Sequence, residues 1–151
     1  TDLSCNPLHG ERFAIGHAVQ LLDARSPFKQ YGFGLRAYDR WIAALEVNRA
    51  DMFGNAYNAQ CWAEARGWAA EFTSRLARRH SQVAGLAAAA EYLATAAAAL
   101  SDVAARFPFP GSAAPPDGVV YEAVASLAQA READVAATGA LVDAAAAAYG
   151  R

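Results

Sequence analysis

Apolar residues recur at intervals of three and four along most of this chain of 151 residues, and no convincing run alternates between apolar and polar side chains. The interval of three and four places apolar side chains on one side of an α-helix, whereas strict alternation would indicate a β-strand. The pattern therefore predicts an all-α fold. Helices are expected over residues 11–25, 34–47, 56–79, 83–106 and 119–149.

Two segments interrupt this helical pattern. Residues 1–10 contain proline and glycine and predict an irregular lead-in. Residues 107–118 are also rich in proline and glycine, and because proline cannot continue a helix, this segment predicts one long loop. Asp117 is the expected N-cap of the last helix. Residues 1–151 are therefore expected to form a single helical domain, a five-helix and mostly antiparallel bundle.

Charge and hydropathy exclude several functions. The formal net charge of −2 provides no basic surface for nucleic acid. The most apolar segment, residues 83–100, is mostly alanine and contains Glu91, which favours a buried bundle helix over a membrane span. The first residues do not have the pattern of a signal peptide, so we expect a cytoplasmic protein. The chain begins without methionine, as in a processed protein or a piece of a longer chain.

The abundance of alanine weakens one kind of inference. Alanine fills 41 positions and arginine outnumbers lysine 12 to 1, a bias typical of bacterial genomes of high GC content. An alanine therefore says less than usual about which side of a helix is buried. The two cysteines, Cys5 and Cys61, form neither a disulfide framework nor a zinc-binding spacing.

On two helices, larger apolar residues at intervals of three and four predict the buried face. On the third helix the expected apolar stripe is Tyr57, Cys61, Ala65, Trp68, Phe72 and Leu76. On the last helix it is Tyr121, Val124, Ala128, Val135, Thr138 and Val142. Arg131 interrupts the second stripe. It could bind a ligand carboxylate, or it could reach the surface and pair with Glu132 or Asp134.

The aromatic residues of the second and third helices are the candidates for a ligand site. Across a helix pair they would line an amphipathic cavity, in which one carboxylate orients the ligand. The alternative is that they fill core volume that alanine leaves empty. The candidate ligand-binding residues are Tyr38, Trp41, Tyr57, Glu64 and Trp68.

Glu64 has a second interpretation. It lies between Trp62 and Trp68, and a carboxylate buried among aromatic rings could act as a general acid or base. A surface position near Arg66 or Gly67 is the alternative, and it is favoured because no second acid or histidine lies at a matching helical offset.

A metal site is not expected. His9 and His17 would share a helix only if that helix began before His9, and Pro7 and Gly10 argue against such a start. His80 follows two arginines at a predicted helix end, where positive charge is favourable in any case. No metal, cofactor or catalytic residue is therefore predicted.

A resemblance to a protein family is carried by three segments, GLRAYDRWIAAL (34–45), AYNAQCWAEARGWAAEF (56–72) and LAAAAEYLATAAAALSDVAARFPFP (86–110). They resemble the C-terminal helical half of uncharacterised bacterial proteins whose N-terminal half is papain-like. Those proteins are related to bacteriocin-processing peptidases and to the butirosin-biosynthesis acyltransferase group. The resemblance implies a helical accessory domain, since this chain has no papain-like half and Cys61 has no neighbouring base.

The leading functional hypothesis is a non-catalytic helical-bundle module that binds a small, largely apolar molecule or shapes a substrate site in a larger protein. The second is an interaction module in which the alanine-rich fourth or fifth helix packs against another copy to form a homodimer. The third is an enzyme that uses Glu64 as general acid or base. Neither nucleic acid nor a membrane is expected as a partner.

Overall fold

The computed structural model describes residues 7–22, 32–110 and 118–149, and it has the expected all-α fold. The helices of the described residues are α1 (Pro7–Leu22), α2 (Leu35–Glu46), α3 (Met52–Arg79), α4 (Leu86–Arg106) and α5 (Val119–Tyr149). None of these residues belongs to a strand, and the helices pack against one another. The prediction of an all-α helical bundle is confirmed.

The three long helices form the body of the bundle, with α4 between α3 and α5. At one end, Leu86 near the start of α4 clusters with Leu76 near the end of α3 and with Leu141 near the end of α5. At the other end, Leu100 of α4 clusters with Ala59 in the first half of α3. Helix α4 therefore runs antiparallel to both neighbours, and α3 and α5 run parallel to each other.

The two short helices follow one another along the groove between α3 and α5. Ile15 of α1 packs with Leu76 and Leu141 at one end of this groove. Tyr38 of α2 forms a hydrogen bond with Asp134 in the middle of α5. Helix α2 then continues toward the opposite end of the bundle. The end of α1 and the start of α2 consequently meet near the middle of the groove.

A small cluster of charges attaches α1 to the end of α3. Glu11 accepts a hydrogen bond from Arg79, and its Oε2 lies 2.9 Å from Nε2 of His80. The Glu11 side chain retains only 12% of its exposed area. The positions of the two basic residues at the C-terminal end of α3 agree with the negative end of the helix dipole there. These contacts hold the N-terminal part of α1 against the end of α3.

Two helices begin earlier than their sequences indicated. Helix α1 begins at Pro7, so the expectation of an irregular lead-in up to residue 10 is wrong. Proline fits the first position of a helix because its missing N–H would have had no helical partner there. Helix α3 begins at Met52, and Asp51 caps it by accepting a hydrogen bond from the backbone N–H of Gly54 at 2.6 Å.

The other starts agree more closely with the prediction. Helix α2 starts at Leu35, and α5 covers Val119–Tyr149 as expected. Helix α4 starts at Leu86 rather than at residue 83, after Gly85 with a φ of 93°. A β-carbon at Gly85 would lie 2.5 Å from the carbonyl oxygen of Ala140, so glycine permits both this turn and the close approach of α5. The expected N-cap Asp117 lies outside the described residues.

The predicted buried face of α5 is largely wrong. Tyr121 is 80% exposed, Val135 44% and Val142 46%. The buried face is offset around the helix, with intervals that alternate between four and three. It consists of Ala123, Leu127, Ala130, Asp134, Ala137, Leu141 and Ala144, with Ser126 and Ala133 buried beside them.

The predicted face of α3 is also largely wrong. Tyr57 is 54% exposed and Trp68 67%, whereas Leu76 is buried as expected. The buried positions of this helix are mainly small residues. They are Asn55, Ala56, Ala59, Ala63, Thr73 and Leu76. Small side chains allow α3 and α4 to approach closely, and the bulky residues are left on the outside.

Helix α4 is, within the described part of the chain, the one helix long and apolar enough to cross a membrane by length and composition. The same composition is typical of a central bundle helix. In this structure α4 makes its contacts with α3 and α5, and Leu93, Leu100 and Val103 are buried among them. The expectation that this segment forms a bundle helix agrees with its packing.

Candidate functional site: an apolar cavity beside a buried ion pair

A buried ion pair connects α3 and α5 near the middle of the bundle. Arg66 Nε lies 2.9 Å from Asp134 Oδ1 and 2.8 Å from Oδ2, and Nη2 of the same guanidinium lies 2.8 Å from Oδ2. Tyr38 donates its hydroxyl to Oδ2 at 2.9 Å. Asp134 and Tyr38 have no exposed area, whereas the Arg66 side chain retains 21%. One carboxylate therefore joins α2, α3 and α5.

Trp62 supports this arrangement from the preceding turn of α3. Its ring meets Tyr38 edge-on at 5.1 Å and Trp41 edge-on at 5.7 Å. The guanidinium carbon of Arg66 lies 5.7 Å from the centre of the same ring. Edge-on aromatic pairs and a cation over an indole face are each favourable. The guanidinium is thus held on one side by Asp134 and on another by Trp62.

Burial and charge shift the pKa values of two members of the network. Burial raises the pKa of the Tyr38 phenol well above its usual value of 10.0, and the negative charge of Asp134 raises it further. Burial alone would lower the pKa of Arg66. The hydrogen bonds and the negative charge of Asp134 outweigh burial, so the pKa of Arg66 is raised. Arg66 is therefore a permanent cation and Tyr38 a permanent hydrogen-bond donor.

A cavity of about 430 Å³ lies beside this ion pair, where α1 ends and α2 begins. Small side chains form much of its wall on α1 and α3. These residues are Ala14, Ala18, Ala65 and Ala69. Leu93 of α4 and Leu141 of α5 contribute to the opposite wall. Three bulky lining residues, Leu21, Phe33 and Phe72, are 36–51% exposed, so the apolar lining extends to the surface.

Two polar side chains of α3 line this cavity, Arg66 and Thr73. Within the described part of the chain, Nη1 of Arg66 has no hydrogen-bond acceptor. Thr95, Ser101 and Thr138 each donate their hydroxyl to the carbonyl four residues earlier. Thr73 is only 4% exposed, and its hydroxyl forms no hydrogen bond with any described residue. Both groups can therefore bind a molecule in the cavity.

Of the five residues expected to bind a ligand, the structure brings Tyr38 and Trp41 together. The Tyr38 hydroxyl is used by Asp134, and Trp41 donates its indole N–H to Oδ1 of Asn55 at 2.6 Å. Nδ2 of Asn55 is buried and has no partner in the described structure. Both aromatic rings pack against Trp62, so they support the cavity without lining it.

The other three expected residues, Tyr57, Glu64 and Trp68, lie on the outer face of α3. All three are exposed, and none lines the cavity. Tyr57 lies beside Phe109, with ring centres 6.4 Å apart. Because Glu64 is exposed, it does not meet the condition of burial among aromatic rings that a role as general acid required. The ligand-binding role of this outer face stays a prediction.

Arg131 and the histidines also differ from expectation. Arg131 pairs with Asp39 of α2, Nε to Oδ1 at 2.7 Å, and not with Asp134. Helix α1 begins before His9, so His9 and His17 do share a helix, contrary to the inference from the neighbouring proline and glycine. Among the residues whose side chains are described, no group of three histidine, cysteine or acidic side chains could hold a metal ion.

Sequence analysis missed the role of Arg66 and of Asp134. A signal for both was present. Asp134 lies within the repeat Leu127, Ala130, Asp134, Ala137, Leu141, and Arg66 lies within Ala59, Ala63, Arg66, Ala70, Thr73. A single charge inside each apolar repeat indicates that the two charges are paired across the interface.

No protein-family model, curated protein or solved structure matches this chain. The functional argument therefore depends on the cavity and on the ion pair beside it.

Proposed function

We propose that this chain is a helical-bundle module that binds a small, largely apolar molecule in the cavity between α1, α2 and α3. It does so on its own or as part of a substrate site in a larger protein. The observation that carries the proposal is an apolar cavity of about 430 Å³ with two polar groups, Arg66 and Thr73, on its wall. Ligand sites in proteins commonly have 300–1,000 Å³, mostly apolar walls and a few polar groups.

The residues around the cavity support this proposal. Four alanines form much of its wall, although α1 and α3 carry bulky apolar residues at neighbouring positions, such as Phe13 and Trp68, that are 69% and 67% exposed. Between α3 and α4, small residues allow close packing, but at the cavity the alanines leave space that larger side chains would fill. The observed distribution leaves space inside the bundle, which is expected of a binding site.

The first experiment compares native with denaturing mass spectrometry of the purified protein. Extra mass that appears only in the native spectrum would indicate a retained ligand. In parallel, apolar compounds are added while tryptophan fluorescence is recorded, because Trp62 lines the cavity and its environment would change on binding. A protein without retained mass and without any fluorescence response would contradict the proposal.

A matched pair of variants locates the binding. Ala69→Phe places a ring in the cavity and should abolish the fluorescence response. Ala94→Phe makes the same change at an exposed position of α4 outside the cavity and should preserve the response. Circular dichroism verifies that both variants remain folded. Equal binding by both variants would show that the compound binds elsewhere.

A second function, homodimer formation through α5, is favoured by a different observation. Tyr121, Val135 and Val142 are 80%, 44% and 46% exposed and lie at intervals of fourteen and seven, on one side of the helix. A dimer would bury this stripe, and its melting temperature would rise with protein concentration. Sedimentation at micromolar concentrations measures the mass directly, and a monomer would exclude this function.

A further inference from the structure

We infer that the cavity binds an electrically neutral molecule, an apolar body with a hydrogen-bond acceptor such as a ketone, ester or amide carbonyl. This inference rests on the proposed function and specifies its ligand class. It follows from the way Asp134 holds Arg66, from the charge balance beside the cavity and from the polar groups that remain available.

Asp134 already occupies one of the two edges by which Arg66 can bind a carboxylate. Nε and Nη2 of Arg66 face the two carboxylate oxygens at 2.8–2.9 Å. This is the side-by-side pairing in which arginine binds carboxylates most strongly. A ligand carboxylate would be left with the second edge of the guanidinium, formed by Nη1 and the remaining N–H of Nη2. It would also approach the negative charge of Asp134, which is fully buried.

The charge balance of the site gives the same result. Arg66 and Asp134 together carry no net charge, and no titratable residue other than Arg66 lines the cavity within the described residues. An anionic ligand would therefore add an uncompensated negative charge to an apolar cavity, and a cationic one would meet Arg66. Burying an unpaired charge is far more costly than burying a hydrogen-bonded neutral group.

The polar groups that remain are suited to a neutral acceptor. Nη1 of Arg66 can only donate a hydrogen bond, and the Thr73 hydroxyl can donate or accept one. The two residues lie two turns apart on α3, which is about 10 Å along the helix axis. A ligand carbonyl can accept a hydrogen bond from Nη1 while its apolar body extends past the alanines toward Thr73. This gives the Arg66 donor a partner without adding charge to the cavity.

The test uses three probes with the same ten-carbon chain: 2-decanone, decanoate and decylamine. Titration calorimetry at pH 7 and tryptophan fluorescence measure the dissociation constant of each with the whole chain. The ketone should bind at least about tenfold more tightly than either ion. Decanoate binding as tightly as the ketone would overturn this inference and leave the proposed function intact. If none of the three binds, the proposed function fails, and this inference fails with it.

Variants test the contribution of the two polar groups. Thr73→Val removes the hydroxyl with little change of shape and should weaken binding of an elongated neutral probe with a second polar group, 10-hydroxy-2-decanone, about fivefold. Thr95→Val is the matched control, because Thr95 is exposed on α4 and bonds to the carbonyl of Glu91. Equal affinities for wild type and Thr73→Val would overturn the assignment of Thr73.

Asp134→Asn tests the charge argument itself. It keeps the size of the side chain but leaves the charge of Arg66 uncompensated, so the preference should shift from 2-decanone toward decanoate. If Asp134 had a merely structural role, Asp134→Asn would weaken the binding of all three probes by a similar factor. If the variant folds and its ratio of affinities for 2-decanone and decanoate is unchanged, the inference is overturned. If the variant does not fold, the comparison of the three probes on the wild-type chain decides the inference independently.

Discussion

Replacing Arg66 by methionine should destabilise the protein more than replacing Asp134 by asparagine, although both changes break the same ion pair. Arg66→Met leaves a carboxylate with no exposed area and only the Tyr38 hydroxyl as partner. Removing one partner of a buried pair typically costs about 3–5 kcal/mol, because the remaining charge is uncompensated. Asp134→Asn leaves Arg66, which is 21% exposed, and should cost about 1–3 kcal/mol.

The same reasoning predicts that removing the whole network restores much of the stability. Apolar residues of similar volume often replace a buried ion pair at no net cost. The variant Tyr38→Phe/Arg66→Met/Asp134→Leu removes the cation, the carboxylate and the hydroxyl that would otherwise have no partner. We expect it to lie within about 2 kcal/mol of the wild-type protein, well above the Arg66→Met variant.

Urea unfolding followed by circular dichroism at pH 7 measures these differences, since the free energy of unfolding falls linearly with urea concentration. Arg75→Met is the matched control on the same helix: Arg75 is 54% exposed and pairs with Glu71 at 3.4 Å, so its loss should change stability by less than about 1 kcal/mol. The reasoning is refuted if Arg66→Met costs no more than Arg75→Met or Asp134→Asn. It is also refuted if the triple variant is as unstable as Arg66→Met.

Three further predictions concern pH, a turn and the attachment of α1. Because the pKa of the Tyr38 phenol is raised in the folded state, the unfolded chain loses this proton at a lower pH than the folded protein. The free energy of unfolding should therefore fall by up to about 1.4 kcal/mol per pH unit above pH 10. Urea unfolding at pH 9–11 measures this fall, which should be smaller in Tyr38→Phe. Gly85→Ala should lower the free energy of unfolding by roughly 2–4 kcal/mol, because Gly85 has a positive φ and closely approaches α5. Gly139→Ala is the control: Gly139 has open space around it, so this change should be neutral or stabilising in the same assay. Glu11→Gln should cost about 1–2 kcal/mol and accelerate amide hydrogen exchange in α1 but not in α4; unchanged exchange in α1 would contradict its role in attaching that helix.

The fold class was predictable because the periodicity of this chain is helical almost throughout. The face of α2 was also predictable, because Leu35, Tyr38 and Leu45 lie at intervals of three and seven opposite charged residues, and Tyr38 and Leu45 are buried. Helix boundaries were less predictable. Pro7 and Gly10 predict an irregular segment, yet α1 begins at Pro7, because proline is favoured at a first helical position.

The buried faces of α3 and α5 were not predictable from residue size. Alanine occurs on all sides of both helices, so hydropathy differs little between the faces. Large apolar residues such as Trp68 and Tyr121 lie on the exposed faces and therefore predict the wrong side of each helix as buried. In a bundle this rich in alanine, close helix approach determines burial, and bulky residues are excluded from the contact. The more informative signal was the charge of Arg66 and of Asp134 within repeats of small apolar residues.

The cavity and the ion pair have a common origin in the placement of the two short helices. One groove between α3 and α5 holds α1 and α2 in succession. Tyr38 of α2 covers Asp134, and Arg66, the partly exposed member of the pair, lines the cavity where α1 ends and α2 begins. A bundle that needed only stability would fill this position with apolar side chains, because a buried ion pair contributes little net stability. Instead, Asp134 fixes the guanidinium by one edge, and Nη1 of this cavity-lining residue has no acceptor among the described residues. An oriented donor without net charge is what a neutral, largely apolar ligand requires, so the proposed function would account for both the costly pair and the unfilled space.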